Sequence, residues 1–109
     1  MASVYVITDQ EFEAEVLNAS QPVWVYFWAD WCGPCRLMAP LVEAMANSYG
    51  DQLKVIKMEV DPNPKSVATC KIEGVPAFRV FQNGAVKTST EGAISQQKLE
   101  ELVKTHLPN

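Results

Sequence analysis

The sequence predicts an α/β fold, a mixed central five-stranded sheet flanked by four helices in the order βαβαβαββα. Three observations carry that expectation. Runs of β-type residues alternate with segments of helical periodicity through most of the chain, which favours parallel strands joined by crossover helices. Val23-Trp24-Val25-Tyr26-Phe27-Trp28-Ala29 is a near-continuous apolar run, the pattern of a strand covered on both faces. Asn83-Gly84 is a two-residue hairpin signal, so the sheet closes with antiparallel strands. With 109 residues, 48% of them hydrophobic and 20% charged, the chain has the composition of one globular domain spanning 1–109.

Val4 to Ile7 is the first short strand. Thr8-Asp9-Gln10-Glu11 has the Thr-x-x-Glu form of a capping box, and Phe12, Val16 and Leu17 give the first helix its apolar stripe. Pro22 closes that region ahead of the strand at 23–29. Leu37, Met38, Leu41, Val42, Met45 and Tyr49 follow helical spacing and mark the second helix, with a kink expected at Pro40 and a stop at Gly50. Leu53 to Val60 is the third strand. Asn63 is placed to cap a short third helix with Pro64 at its first position, and Gly74 to end it. Ala77 to Phe81 and Ala85 to Thr90 form the hairpin, and Gly92 breaks the run. Ser95 caps the last helix, whose buried face carries Leu99, Leu102, Val103 and Leu107.

Charge and composition exclude several classes of function. The formal net charge is −4, and no Lys/Arg run is present, which argues against nucleic-acid binding. No segment approaches the ~20 apolar residues of a membrane span. The stretch from Met1 to Asp9 lacks the basic start and long apolar run of a secretory signal, so a cytoplasmic protein is the simplest reading and a processed organellar one the alternative. A monomer is expected. Three cysteines, Cys32, Cys35 and Cys70, suit a catalytic pair in a reducing compartment better than a disulfide framework.

Cys32-Gly33-Pro34-Cys35 follows the buried strand and opens the second helix, and this context gives a Cys-x-x-Cys its meaning. A helix N-terminus offers unpaired N–H groups and partial positive charge to a Cys32 thiolate. Pro34 suits the first helical turn, where its missing N–H costs nothing. The two-residue spacing lets Cys35 close a disulfide with Cys32. The chemistry expected is thiol–disulfide exchange, with Cys32 attacking a target disulfide and Cys35 resolving the mixed disulfide. No cofactor is needed. A zinc site needs four ligands, and only Cys70 and His106 remain, at unsuitable spacing, so no metal is expected.

Phe27-Trp28-Ala29-Asp30-Trp31-Cys32-Gly33-Pro34-Cys35 resembles the active-site signature of the thioredoxin family. The resemblance runs along essentially the whole chain, through Pro40, Lys57, Asp61, Gly74-Val75-Pro76, Asn83-Gly84 and Gly92. It implies a thioredoxin-like fold and a protein-disulfide reductase. It implies that Pro76 is the cis-proline beside the active site, and that the backbone of Val75 pairs with an extended target peptide. Trp31, Gly33, Pro34, Gly74, Val75, Pro76, Gly92 and Ala93 would form the docking surface, although turn geometry alone also accounts for Gly74 and Gly92. Phe27 and Trp28 would support the core. The implied partners are proteins with disulfides and a thioredoxin reductase, NADPH- or ferredoxin-dependent. The Gly33-Pro34 dipeptide resembles that of the family's reductants rather than its oxidants and isomerases. A binding module with dispensable cysteines is the competing reading, and the intact pair beside Pro76 argues against it.

One position departs from the family pattern, and some cyanobacterial members look similar there. Tyr26 stands where a buried Asp usually handles the proton of the second cysteine, partnered by the lysine matching Lys57. A tyrosine is neutral at physiological pH and is no ready base. The expectation is a more stable protein whose Cys35 deprotonation is slower or runs through Lys57, Glu59 or water. Lys57 has two readings, a half-buried cation tuning the cysteines or a side chain reaching solvent along its stem. Cys70 reads as an incidental thiol or a redox-regulatory one, and His106 as a solvated residue.

Overall fold

The computed structural model describes residues 4–105. His106 and Leu107 lie outside them. Five strands form one sheet: β1 (Val4–Val6), β2 (Val23–Trp28), β3 (Lys54–Glu59), β4 (Ala77–Gln82) and β5 (Ala85–Glu91), in the spatial order β1-β3-β2-β4-β5. β3 pairs parallel with β1 and β2, whereas β2–β4 and β4–β5 are antiparallel. The mixed sheet is the one expected. β2 lies at its centre, with five of its six residues buried and Trp28 half-buried.

Alternation along β2 sorts the core into two layers. Trp24 and Tyr26 face α1 (Gly33–Tyr49) and α3 (Gln96–Lys104), which contribute Met38, Val42, Met45, Leu99 and Val103. Val23, Val25 and Phe27 face the opposite layer, where Phe12, Val16 and Cys70 pack with Ile56, Met58 and Phe81. Phe78 stacks on both Trp24 and Tyr26, with ring centroids 5.3 Å away in each case.

Local signals held at most boundaries. α1 passes unbroken through Pro40 and stops at Gly50, which has a φ of 54°. Asn83 and Gly84 both take positive φ, as a type I′ hairpin turn requires, and a Cβ on Gly84 would stand 3.0 Å from the Leu17 carbonyl oxygen. Ser95 Oγ accepts from the Lys98 N–H at 3.1 Å and caps α3.

The first and third helices differ from the reading above. The Glu11 carboxylate does accept from the Thr8 N–H and hydroxyl, at 3.0 and 3.1 Å. The segment it starts is a 3₁₀ turn (Asp9–Glu11) followed by a π-helical turn (Glu13–Leu17), not a regular α-helix. α2 spans Pro64–Thr69 and ends at Cys70, not Gly74; Lys71 takes the left-handed conformation that stops it, with a φ of 55°. Asn63 does not cap α2 with its side chain. Its amide instead accepts from the Asp9 N–H at 2.8 Å and donates to the Glu59 carbonyl at 2.8 Å. The cap comes from Asp9, whose carboxylate accepts from the N–H groups of Lys65 (3.0 Å) and Ser66 (2.8 Å) and from the Ser66 hydroxyl (2.6 Å). A side chain more than 50 positions earlier therefore fills the role sequence reading gave to Asn63.

Desolvation alone would raise the Asp9 carboxyl, but the hydrogen bonds from Ser66 and Lys65 outweigh it and hold the group below its ordinary 3.8. Asp9 therefore stabilises the fold at neutral pH, and the contribution is lost as pH falls through its lowered value. Asp9→Ala is expected to cost about 1 kcal/mol at pH 7 by denaturant titration. The difference from wild type should shrink as pH falls from about 4.

Candidate functional site

The site forms where β2 gives way to α1. β2 ends at Trp28, and the Cys32 N–H donates to the Ala29 carbonyl at 3.1 Å, turning the chain at once into the helix. Cys32 is the N-cap residue of α1. Its Sγ accepts from the Cys35 N–H at 3.2 Å and so takes one of the donors a helix start leaves free. Cys32 and Cys35 are joined by a disulfide, with Cα atoms 5.3 Å apart. Both are buried, packed with Ala29 and flanked by Trp28, Val60 and Val75. Gly33 and Pro34 are exposed between them.

The predicted docking residues converge around this pair. The Val75–Pro76 peptide bond is cis. Pro76 is buried, and its carbonyl accepts from the Gly92 N–H at 2.7 Å, which brings the 74–76 loop and the 92–93 turn together. Gly74, Gly92 and Ala93 are exposed, and Val75 is half-buried. Trp31 is 69% exposed and is steadied by donating its indole N–H to the Asp61 carboxylate at 2.9 Å. Between Trp31 and Val75 lies a groove of about 150 Å³, also lined by Val60, Val67, Ile72, Glu73 and Gly74. Sequence reading missed Val60, Val67 and Ile72 as parts of the site. In sequence they read as ordinary apolar residues of a strand end, a helix and a loop, and only the fold turns them toward Trp31.

Behind Cys35 a second cavity, of about 190 Å³, is lined by Tyr26, Trp28, Ala29, Asp30, Cys35, Arg36, Ala39 and Lys57. Tyr26 and Lys57 meet there because they are paired across β2 and β3. Lys57 Nζ lies 4.7 Å from the centre of the Trp28 ring, held over the indole by a cation–π contact. Lys57 is half-buried and lines this cavity together with Cys35, whereas Glu59 does not line it. Trp28 and the fully buried Phe27 support the core as expected.

Tyr26 is 1% exposed and donates its hydroxyl to the Cys35 carbonyl at 2.9 Å. Burial pushes its phenol up to about 12. Its proton is thus committed to a backbone carbonyl, and the residue ties β2 to the first turn of α1. Cys70 is buried, and desolvation pushes its thiol up to about 11 against the pull of Arg79. A buried, protonated thiol is a poor nucleophile, which favours the incidental reading over the regulatory one. Among the described residues, no group of three or more His, Cys, Asp or Glu is placed to hold a metal ion, and no helix is long and apolar enough to cross a membrane.

Comparison with known proteins agrees with this geometry. Residues 3–105 match the family model described as Thioredoxin. The chain is 59% identical over 105 residues to a thioredoxin-like protein of Synechocystis, covering 96% of both. It is 39% identical over 107 residues to thioredoxin 1 of Synechococcus elongatus, covering 98% of this chain and 100% of that one. It is 37% identical over 105 residues to a thioredoxin of Acidithiobacillus ferridurans, covering 96% of this chain and 97% of that one.

Tyr26 and Cys70 also predict behaviour in alkali. Each stays protonated in the folded state above its ordinary value, 10.0 for the tyrosine and 9.0 for the cysteine. The unfolded chain loses these protons first, so stability falls as pH rises above about 9. In the disulfide form, denaturation midpoints from pH 8 to 12 should fall in that window. Cys70→Ala should flatten the part of the decline that begins near 9, and Tyr26→Phe the part near 10.

Proposed function

The chain belongs to the thioredoxin family, and from that premise we propose that residues 1–109 form one protein-disulfide reductase domain in which Cys32 is the nucleophile and Cys35 the resolving thiol. The carrying observation is the Cys35 N–H aimed at Cys32 Sγ at the start of α1. A donor in that place stabilises negative charge on this sulfur, and Cys35, inside the first turn, has no equivalent.

The Cys32 thiolate attacks one sulfur of a target disulfide, forming a mixed disulfide and releasing the other target sulfur as a thiolate. Cys35, on losing its proton, attacks Cys32 Sγ, closes the Cys32–Cys35 bond and releases the second target thiolate. Two electrons pass to the target, and the protein is left in the disulfide form. A thioredoxin reductase, NADPH- or ferredoxin-dependent, restores the dithiol in the cytoplasm. Incubation of the disulfide form with each reductase class identifies the donor.

The target docks across the exposed surface of Trp31, Gly33, Pro34, Gly74, Val75, Gly92 and Ala93. Its extended backbone pairs with Val75 as a short added strand, and the apolar groove beside Trp31 takes a flanking side chain. Pro76 fixes that loop against Gly92. The Cys35 proton leaves through the cavity that Cys35 shares with Lys57. Tyr26, whose hydroxyl is already donated to Cys35 O, takes no part.

Insulin-disulfide reduction with variants tests these assignments. Cys32→Ser should abolish turnover, whereas Cys35→Ser should accumulate a mixed disulfide through Cys32 that mass spectrometry can locate. Tyr26→Phe should keep the wild-type pH–rate profile while losing about 1 kcal/mol of stability with its hydrogen bond. Lys57→Met should slow closure of the Cys32–Cys35 bond. A trapped adduct on Cys35, or a Tyr26→Phe variant with an altered pH profile, would contradict the assignments.

A further inference from the structure

β4 is an apolar strand with a single charged residue inside it, Arg79, which is 4% exposed. Burying a guanidinium is costly unless every donor is met. Here all five are. Nε donates to Cys70 O at 2.9 Å, Nη1 to Phe78 O at 2.9 Å and Thr90 O at 3.4 Å, and Nη2 to Lys71 O and the Glu91 carboxylate, both at 3.0 Å.

These acceptors have a common location. Cys70 and Lys71 begin the loop that leads to Val75–Pro76, and Glu91 is the last residue of β5, directly before the Gly92 turn. Glu91 Oε2 also accepts from the Glu73 N–H at 3.3 Å, and Gly92 N–H holds Pro76 O. The loop 70–76 is thus pinned at its start by Arg79, in its middle by Glu91 and at its end by Gly92. Hydrogen bonds from Arg79 and Glu73 hold the Glu91 carboxyl below its usual range. An apolar residue at position 79 would pack in this strand without a desolvation cost, so bulk stability alone does not require an arginine.

We propose that Arg79 and Glu91 form a positioning pair that fixes the backbone of the 72–76 loop for target docking. Neither bonds to Cys32 or Cys35. The pair acts through Glu73 and the Lys71 turn, holding Val75 at the height where an incoming strand reaches both it and Cys32. The proposal rests on the reading that Val75 pairs with the target backbone.

The test uses the full chain and three disulfides: an extended peptide disulfide, the same peptide N-methylated at the backbone amides beside its cysteine, and bis(2-hydroxyethyl) disulfide, which has no backbone to dock. Wild type should react with the parent peptide about fivefold faster than with the N-methylated one, the size of one backbone hydrogen bond. In Glu91→Ala and Arg79→Lys that ratio should fall toward one through a slower parent reaction, with the small disulfide reacting at the wild-type rate. Glu91→Gln keeps an oxygen for Arg79 and Glu73 and should retain the ratio. Glu91 is partly exposed, so its variants test the pair even if Arg79→Lys does not fold. A Glu91→Ala protein with the wild-type ratio overturns the proposal, as does an equal loss with all three disulfides. Wild type blind to N-methylation overturns the docking reading itself, and the proposal with it.

Discussion

The structure depends on one junction. A strand buried on both faces stops at Trp28, and a helix starts five residues later with a cysteine as its cap. The strand is held in place by two core layers, so the start of the helix cannot drift. Cys32 therefore meets the first-turn N–H of Cys35 in a fixed geometry, and the nucleophilic role proposed for Cys32 rests on that contact. Tyr26 reinforces the junction from below by bonding the Cys35 carbonyl.

Substituting tyrosine for a buried carboxylate at position 26 changes what the core does for the chemistry. A carboxylate there would carry a desolvation cost and offer a base. The tyrosine carries neither, stacks on Phe78, and holds the helix start by a neutral hydrogen bond. In the proposed mechanism, proton traffic at Cys35 is left to the cavity facing Lys57. In that mechanism rigidity and proton handling, combined at one position in the family pattern, are separated. The proposed docking side has its own scaffold, the Arg79–Glu91 pair and the Gly92–Pro76 hydrogen bond.

Features governed by neighbours in sequence could be read before the structure. The Val23–Trp28 strand, the helix after Cys32, the Asn83-Gly84 turn and the Ser95 cap all follow from local periodicity or from a short-range side-chain bond. The reactive pair was legible because two cysteines at a strand-to-helix junction are rare in any other role. What sequence reading missed is governed by distance. Asp9 displaces Asn63 as the cap of α2 because folding brings β1 beside β3, and no local pattern marks that meeting. α2 ends early because Arg79, arriving from β4, binds the Cys70 and Lys71 carbonyls that a longer helix would have used. Arg79 itself carried a signal, a lone charge in an apolar strand, but its partners are all supplied by the fold.

The central claim is that position at the start of α1 makes Cys32 reactive. The direct measurement is the rate at which the Cys35→Ser protein forms a mixed disulfide with a model peptide disulfide as pH is raised from 5 to 10. Nucleophilicity set by the helix start predicts a rate that levels off before the ordinary thiol range near about 8.5. A rate that keeps climbing through that range, as for an unassisted cysteine, would contradict the account.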